Sequence, residues 1–171
     1  MIAPVEVRRI RDDDATTFRE LRLTALREDP LAFGSTEARE GEYPAERWSG
    51  WVHRGAVGTH EATFVAVEPS HHLVGMIGAF DREGRPQLWG LWVRPTHRRR
   101  GIGRRLLEAI LAWSRAVFPG VPTRLEVNPD LEDAVNLYRS HGFEFTGVEE
   151  PLGHHPPSVV REMVRSADGP P

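Results

Sequence analysis

Arg98-Arg99-Arg100-Gly101-Ile102-Gly103 sets a knot of guanidinium groups beside two glycines, at a point where one kind of patterning gives way to another. Before it, Leu88-Trp89-Gly90-Leu91-Trp92-Val93 is a short apolar run stopped by Pro95, which reads as a strand. After it, Leu106, Ile110, Trp113 and Val117 recur at helical spacing from Ile102 onward. The chemistry available at such a junction is anion binding. The first turn of a helix carries N–H groups without internal partners and the positive end of the macrodipole, so a phosphate finds donors and charge together. Gly101 and Gly103 let it approach the backbone. Two nucleotide patterns fail here: the phosphate-loop pattern needs a lysine, which the chain lacks, and the dinucleotide pattern needs a third glycine where Leu106 stands.

The junction does match R-x-x-G-x-G, running from Arg98 to Gly103 after a strand and opening a helix. A second group follows: Leu125-Glu126-Val127-Asn128 as a strand, then Ala134-Val135-Asn136-Leu137-Tyr138 and His141-Gly142-Phe143. Together these resemble the GNAT superfamily of acyl-CoA-dependent N-acyltransferases, closely from Trp89 to Phe145 and only in order of elements over the N-terminal third. The resemblance implies acetyl-CoA as co-substrate, with the strands Leu88–Val93 and Arg124–Asn128 splayed to admit its pantetheine arm. The arm would bond to backbone near Leu91 and Val93, and an amide near Trp92 or Val93 would polarise the thioester carbonyl. The pyrophosphate would lie on the amides of Arg98, Arg99, Arg100, Gly101, Ile102, Gly103 and Arg104. Tyr138 matches the tyrosine that protonates the departing thiolate; its alternative is a helix aromatic packed in the core. Asn128 would bond the arm or a water, unless it is spent capping the next helix.

A protonated amine must lose a proton before it can attack, directly or through water. The central strand offers no base at Gln87, Trp89 or Trp92, which leaves Glu126 as the nearest carboxylate, with a solvated strand residue as its alternative. Phe33, Trp48 and Trp51 are candidates for the acceptor wall, against the alternative that they serve the core. The adjacent pairs His71-His72 and His154-His155 lack the spacing of a helical metal site, and no metal is expected.

Other segments position these residues. Val5 and Val7 alternate with charges as a first strand, and Asp12-Asp13-Asp14 precede a helix over Ala15–Glu28 with Phe18, Leu21, Ala25 and Leu26 inward. Short helices are expected over Thr36–Glu42 and Pro44–His53, then strands Thr63–Val67 and Leu73–Phe80. Beyond the central strand and helix follow a strand Arg124–Asn128, a helix Leu131–His141, and strands Phe143–Thr146 and Ser158–Val164 around a proline-rich linker, Pro151–Pro157. The fold class is α/β in the α+β sense. The family resemblance implies a mixed, mostly antiparallel sheet of about seven strands, splayed between the fourth and fifth, with helices on both faces.

At 171 residues the chain fits one acetyltransferase domain over 1–165 and a loose tail over 166–171. No apolar run approaches a membrane span, Met1 to Ile10 lacks the apolar core of a secretory signal, and there is no cysteine for a disulfide or a thiolate nucleophile. A cytoplasmic address is expected, and the use of arginine for all 22 basic residues suggests a high-GC bacterial source. A net charge of -3 gives no reason to expect nucleic acid or a membrane as partner. The resemblance implies an amine as partner, on a small molecule or on a protein or peptide, and a homodimer stays open. The competing function is an acyl-CoA-binding module that senses or scaffolds.

Overall fold

The apolar runs of the sequence become strands and inward helix faces in the structure, a computed structural model that describes residues 4–167. The strand β1 (Glu6–Arg9) leads into α1 (Ala15–Glu28), whose Phe18, Leu21, Ala25 and Leu26 are buried as their spacing predicts. Each such large side chain removed from water stabilises the fold by about 1.5–3 kcal/mol. Then come α2 (Glu37–Gly41), α3 (Ala45–Val57), β2 (Glu61–Val67), β3 (Leu73–Asp81), β4 (Pro86–Val93), α4 (Ile102–Val117), β5 (Thr123–Val127), α5 (Glu132–Ser140), β6 (Phe143–Pro151) and β7 (Val159–Arg165). The last four residues of the expected tail, 168–171, lie outside the described residues. No helix among the described residues is long and apolar enough to cross a membrane.

One sheet of seven strands runs in the order β1-β2-β3-β4-β5-β7-β6, antiparallel except where β4 meets β5. The mixed, mostly antiparallel α/β fold expected from the sequence is therefore the one found. On one face α4 and α5 bury Ile102, Leu106, Leu107, Ile110, Val135 and Tyr138 against Ile77, Leu88, Leu125 and Met163. On the other, α1 and α3 bury Phe18, Leu21, Trp48 and Val52 against Val65, Met76 and Trp92.

Two boundaries differ from expectation by four or more residues, the others by no more than about two. The helix α3 continues past His53 to Val57, and β6 runs on past Thr146 through Pro151. Gly147, at φ 93°, sits in a register shift between Phe145 and Glu149, so the strand passes through a bulge rather than stopping. The proline-rich segment then begins after a strand that carries Glu149 and Glu150.

The site depends on how β4 is built. It pairs with β5 at one position, Gln87 with Arg124, and the two strands part beyond it. On its other side Met76 pairs with Trp92 and Gly78 with Trp89, so Gly90 and Leu91 together face the single residue Ile77. That is a bulge with a glycine at φ 67° as its first residue, a backbone angle that side chains rarely adopt. Next to it the Trp89 indole lies on Gly78, where an added Cβ would fall 2.1 Å from the ring. Gly78→Ala is thus expected to destabilise the protein by about 1–3 kcal/mol and to displace Trp89. A melting curve together with indole fluorescence checks both, and an unshifted melting temperature would contradict this packing.

Candidate active site

Where β4 and β5 part, two cavities meet through a narrow slot. The first, about 700 Å³, lies between the end of β4 and the starts of α4 and α5, and includes Leu91, Trp92, Val93, Gly101, Gly103 and Leu137 in its lining. The second, about 920 Å³, opens beside α1 and α3 and is bordered by Phe33, Trp51, Trp89, Glu126 and Glu150. A slot of about 40 Å³ carrying Tyr138 and Glu126 shares Leu91, Leu131 and Ala134 with the first cavity and Leu88, Trp89 and Gly90 with the second. Ala32 borders all three.

The first cavity has the makings of a phosphate cradle. Gly101 precedes α4 at φ 73° and no side chain caps the helix, so its first-turn amides are left to a ligand. Arg105 N closes this turn onto the Gly101 carbonyl at 3.1 Å. A Cβ added at Gly103 would meet Leu137 Cδ2 at 3.5 Å and Val93 Cγ2 at 3.9 Å, both cavity side chains, so this glycine keeps the floor clear. Arg94 N donates to Val74 O at 2.8 Å, so the alternation of an antiparallel ladder turns the Trp92 amide to β3 and the Val93 amide away from it, beside the first cavity. Of the two amides expected as carbonyl donors, that of Val93 is the one not spent on β3.

The arginines divide their work. Arg98 folds back: Nε donates to Val93 O at 2.9 Å and Nη2 to Asp29 Oδ2 at 2.6 Å, and the same carboxylate oxygen accepts from Trp92 Nε1 at 2.6 Å. Asp29 thereby ties the end of α1 to β4 and the loop before α4, and the Arg98 side chain braces that loop. Arg99, at φ 61°, holds only an exposed contact with Asp133 at 3.3 Å, and Arg104 pairs with Glu108 at 2.7 Å. Exposed pairs of this kind stabilise little, so both guanidiniums remain available to an anion. Arg100 does not border the cavity.

Two side chains named from the sequence, Asn128 and Trp48, take the alternative role weighed for each. Asn128 is buried and committed: Oδ1 accepts from Asp130 N at 3.0 Å and Nδ2 donates to Leu31 O at 3.3 Å. It closes the turn into α5 and borders none of the three spaces. Trp48 is 2% exposed, stacked behind Trp51 with ring centroids 5.5 Å apart and set edge-on to Phe18, so it belongs to the core. Phe33 and Trp51 do face the second cavity, and Trp89 joins them there.

Tyr138 is buried against Phe143 yet its ring reaches the slot, and its hydroxyl makes no hydrogen bond among the described residues. Burial pushes the phenol's pKa upward, so it keeps its proton throughout the physiological range. Glu126 sits on β5 with its neighbours Leu125 and Val127 turned to the core, which leaves its carboxylate on the slot and the second cavity. It is half-exposed and lies 3.4 Å from Arg82 Nη1.

Sequence reasoning missed most other polar groups of the second cavity. Glu61, Asp81 and Glu150 border it along with Arg22, Arg54, His60 and Arg82. Arg22 was detectable: it stands four residues after Phe18 and next to Leu21, a charged residue on an otherwise apolar helix face. Among the described residues no group of three or more His, Cys, Asp or Glu side chains gathers to hold a metal.

Comparison with known proteins agrees with this layout. The acetyltransferase (GNAT) family matches over residues 18–143. A segment is 37% identical over 90 residues to the N-alpha-acetyltransferase RimI of Mycobacterium tuberculosis, covering 50% of this chain and 54% of that one. The chain spans no more than about half the length of the curated relatives it matches. Among solved structures, a GNAT-family acetyltransferase from Streptococcus pneumoniae superposes with TM-score 0.78 at 21% identity, over 95% of this chain and 99% of that one. YncA of Salmonella typhimurium, solved with its cofactor acetyl-CoA, does so with TM-score 0.78 at 17% identity, over 97% and 95%.

Proposed function

Since the chain belongs to the GNAT acetyltransferase family, we propose that it transfers the acetyl group of acetyl-CoA to a primary amine by direct attack within a ternary complex. The observation that carries this reading is the slot, which joins a phosphate-cradling cavity to an amine-accepting one with Tyr138 and Glu126 between them.

The residues fit the co-substrate. The uncapped start of α4, with Gly101 and Gly103 clear of side chains, takes the pyrophosphate, and Arg99 and Arg104 add charge. The parted edge of β4 receives the pantetheine arm, and the Val93 amide donates to the thioester oxygen as charge builds there. The acceptor enters from the other side, held over the floor of β4 and β5 with its ammonium among carboxylates. Glu126 takes its proton through water, leaving a lone pair free to attack. The C–N bond forms, the C–S bond breaks, and the Tyr138 hydroxyl gives its proton to the departing sulfur. Its raised pKa draws a proton back afterwards. No covalent enzyme intermediate is needed, and no cysteine is present to carry one.

Acetyl-CoA incubated with a panel of primary amines should release free thiol in amine-dependent fashion. Binding of acetyl-CoA without thiol release for any amine would instead support the sensing or scaffolding module.

A further inference from the structure

Arg22 is an unusual residue for its place. It points inward from α1 and is 6% exposed. Its Nε and Nη2 donate to the two carboxylate oxygens of Glu40, at 2.9 and 2.8 Å, so its charge is matched within the protein. Nη1 is buried without any hydrogen-bond partner, although a guanidinium N–H is an expensive donor to leave unmet. Rings surround the group: its central carbon lies 4.8, 5.6 and 5.7 Å from the ring centres of Phe33, Trp51 and Trp89. What Nη1 faces is the bulge. It lies 3.4 Å from the point where a Cβ on Gly90 would stand, and among the described residues, the neighbours Trp89 and Leu91 aside, no other atom comes within 4 Å of that point. Gly90 borders both the second cavity and the slot, so Nη1 lies close behind a wall residue that has no side chain, beside the place of reaction.

We propose that Arg22 is a specificity-determining residue whose Nη1 donates to the oxygen of a carbonyl group attached to the amine-bearing carbon, so that the acceptors are α-amino amides. This rests on the acetyltransferase reading and refines its acceptor. A neutral oxygen fits better than a carboxylate, for two reasons. Glu40 already balances the guanidinium charge. The rest of the cavity sets Glu61, Asp81, Glu126 and Glu150 against Arg54 and Arg82, a surplus of acids that attracts an ammonium and repels an anion. An α-amino amide presents both required groups, a cationic amine and an uncharged oxygen three bonds away. It comes either from a small amide or from a peptide N-terminus.

The test compares kcat/KM for L-alaninamide with that for (S)-sec-butylamine, in which an ethyl group replaces the carboxamide. It is run on the wild type and on Arg22→Lys, which keeps a cation opposite Glu40 but has no Nη1. The two amines differ in basicity, but that difference is common to both enzymes and cancels in the ratio of ratios. The preference for the amide should fall about tenfold to a hundredfold in the variant, the worth of one hydrogen bond from a charged donor. If Arg22→Lys fails to fold, the neutral pair Arg22→Gln with Glu40→Gln carries the same comparison. An unchanged preference in a folded variant overturns the proposal, as does wild-type preference for L-alanine over L-alaninamide. Binding of N-acetyl-L-alaninamide against N-sec-butylacetamide, measured by calorimetry with CoA present, needs no turnover. Equal affinities there overturn the role of Arg22 even if no amine is acetylated, whereas absent turnover alone counts against the acetyltransferase reading. A trialanine arm separates the sources: a gain over L-alaninamide assigns the peptide terminus, and no gain assigns a small amide.

Discussion

Tyr138→Phe is expected to lower turnover by about 10²–10⁴ while leaving acetyl-CoA affinity and melting temperature nearly unchanged. The substitution removes one hydroxyl and keeps the ring that packs edge-on to Phe143. Because that hydroxyl makes no hydrogen bond among the described residues, no partner is orphaned by its removal. Catalysis and packing are therefore separable at this residue. The pH dependence gives a second handle. Burial raises the phenol's pKa in the folded state, so the native protein holds this proton after the unfolded chain, titrating near pH ~10, has released it. The associated stability is fully present below that pH and is lost as pH rises through the folded pKa. An alkaline fall in kcat below about pH 10 must then come from another group. Steady-state kinetics across pH with melting curves for both proteins supply the measurement, and full activity of the phenylalanine variant at every pH would remove Tyr138 as the acid.

Gly103→Val should abolish acetyl-CoA binding in a protein that still folds. At a hundred times its dissociation constant a ligand adds about 2.7 kcal/mol, or roughly 5–10 °C of melting temperature for a chain of this size. The variant should show none of that shift. Its Cβ would make ordinary contact with Leu137 and Val93, so the helix has room for it, while the two added methyls would stand in the cavity where the pyrophosphate comes down. A folded variant with undiminished ligand-induced stabilisation would show that the start of α4 holds no pyrophosphate.

The parts of the site legible in the sequence are those that rest on backbone and on local pattern. Gly101 and Gly103 announce a helix start that stays uncapped, and the run from Leu125 to Phe143 announces the strand and helix that bring Glu126 and Tyr138 to one slot. What the sequence conceals are commitments between distant side chains. Arg98 looks like a phosphate ligand until Asp29, 69 residues earlier, is found holding its guanidinium. Asn128 reads equally well as ligand or turn-former, and only the approach of Leu31 O and Asp130 N shows both ends of its amide in use. Trp48 and Trp51 lie three apart on one helix, so local pattern cannot rank their depth; Phe18 packs on both, and what separates them is Tyr43 against Trp48 and the cavity-wall Trp89 against Trp51. Glu150 was hidden by Gly147, whose bulge lets β6 run on where a strand would ordinarily be read as finished.

The single rung between Gln87 and Arg124 also divides the molecule mechanically. Four strands lie on one side of it and three on the other, joined along the seam by far less backbone bonding than either block has within itself. In hydrogen exchange, the β4 amides that face the seam should behave as an edge although they belong to an interior strand, and should gain protection when a pantetheine arm spans the gap. The co-substrate would then act as the missing strand, and the two blocks would exchange as one unit only while it is bound.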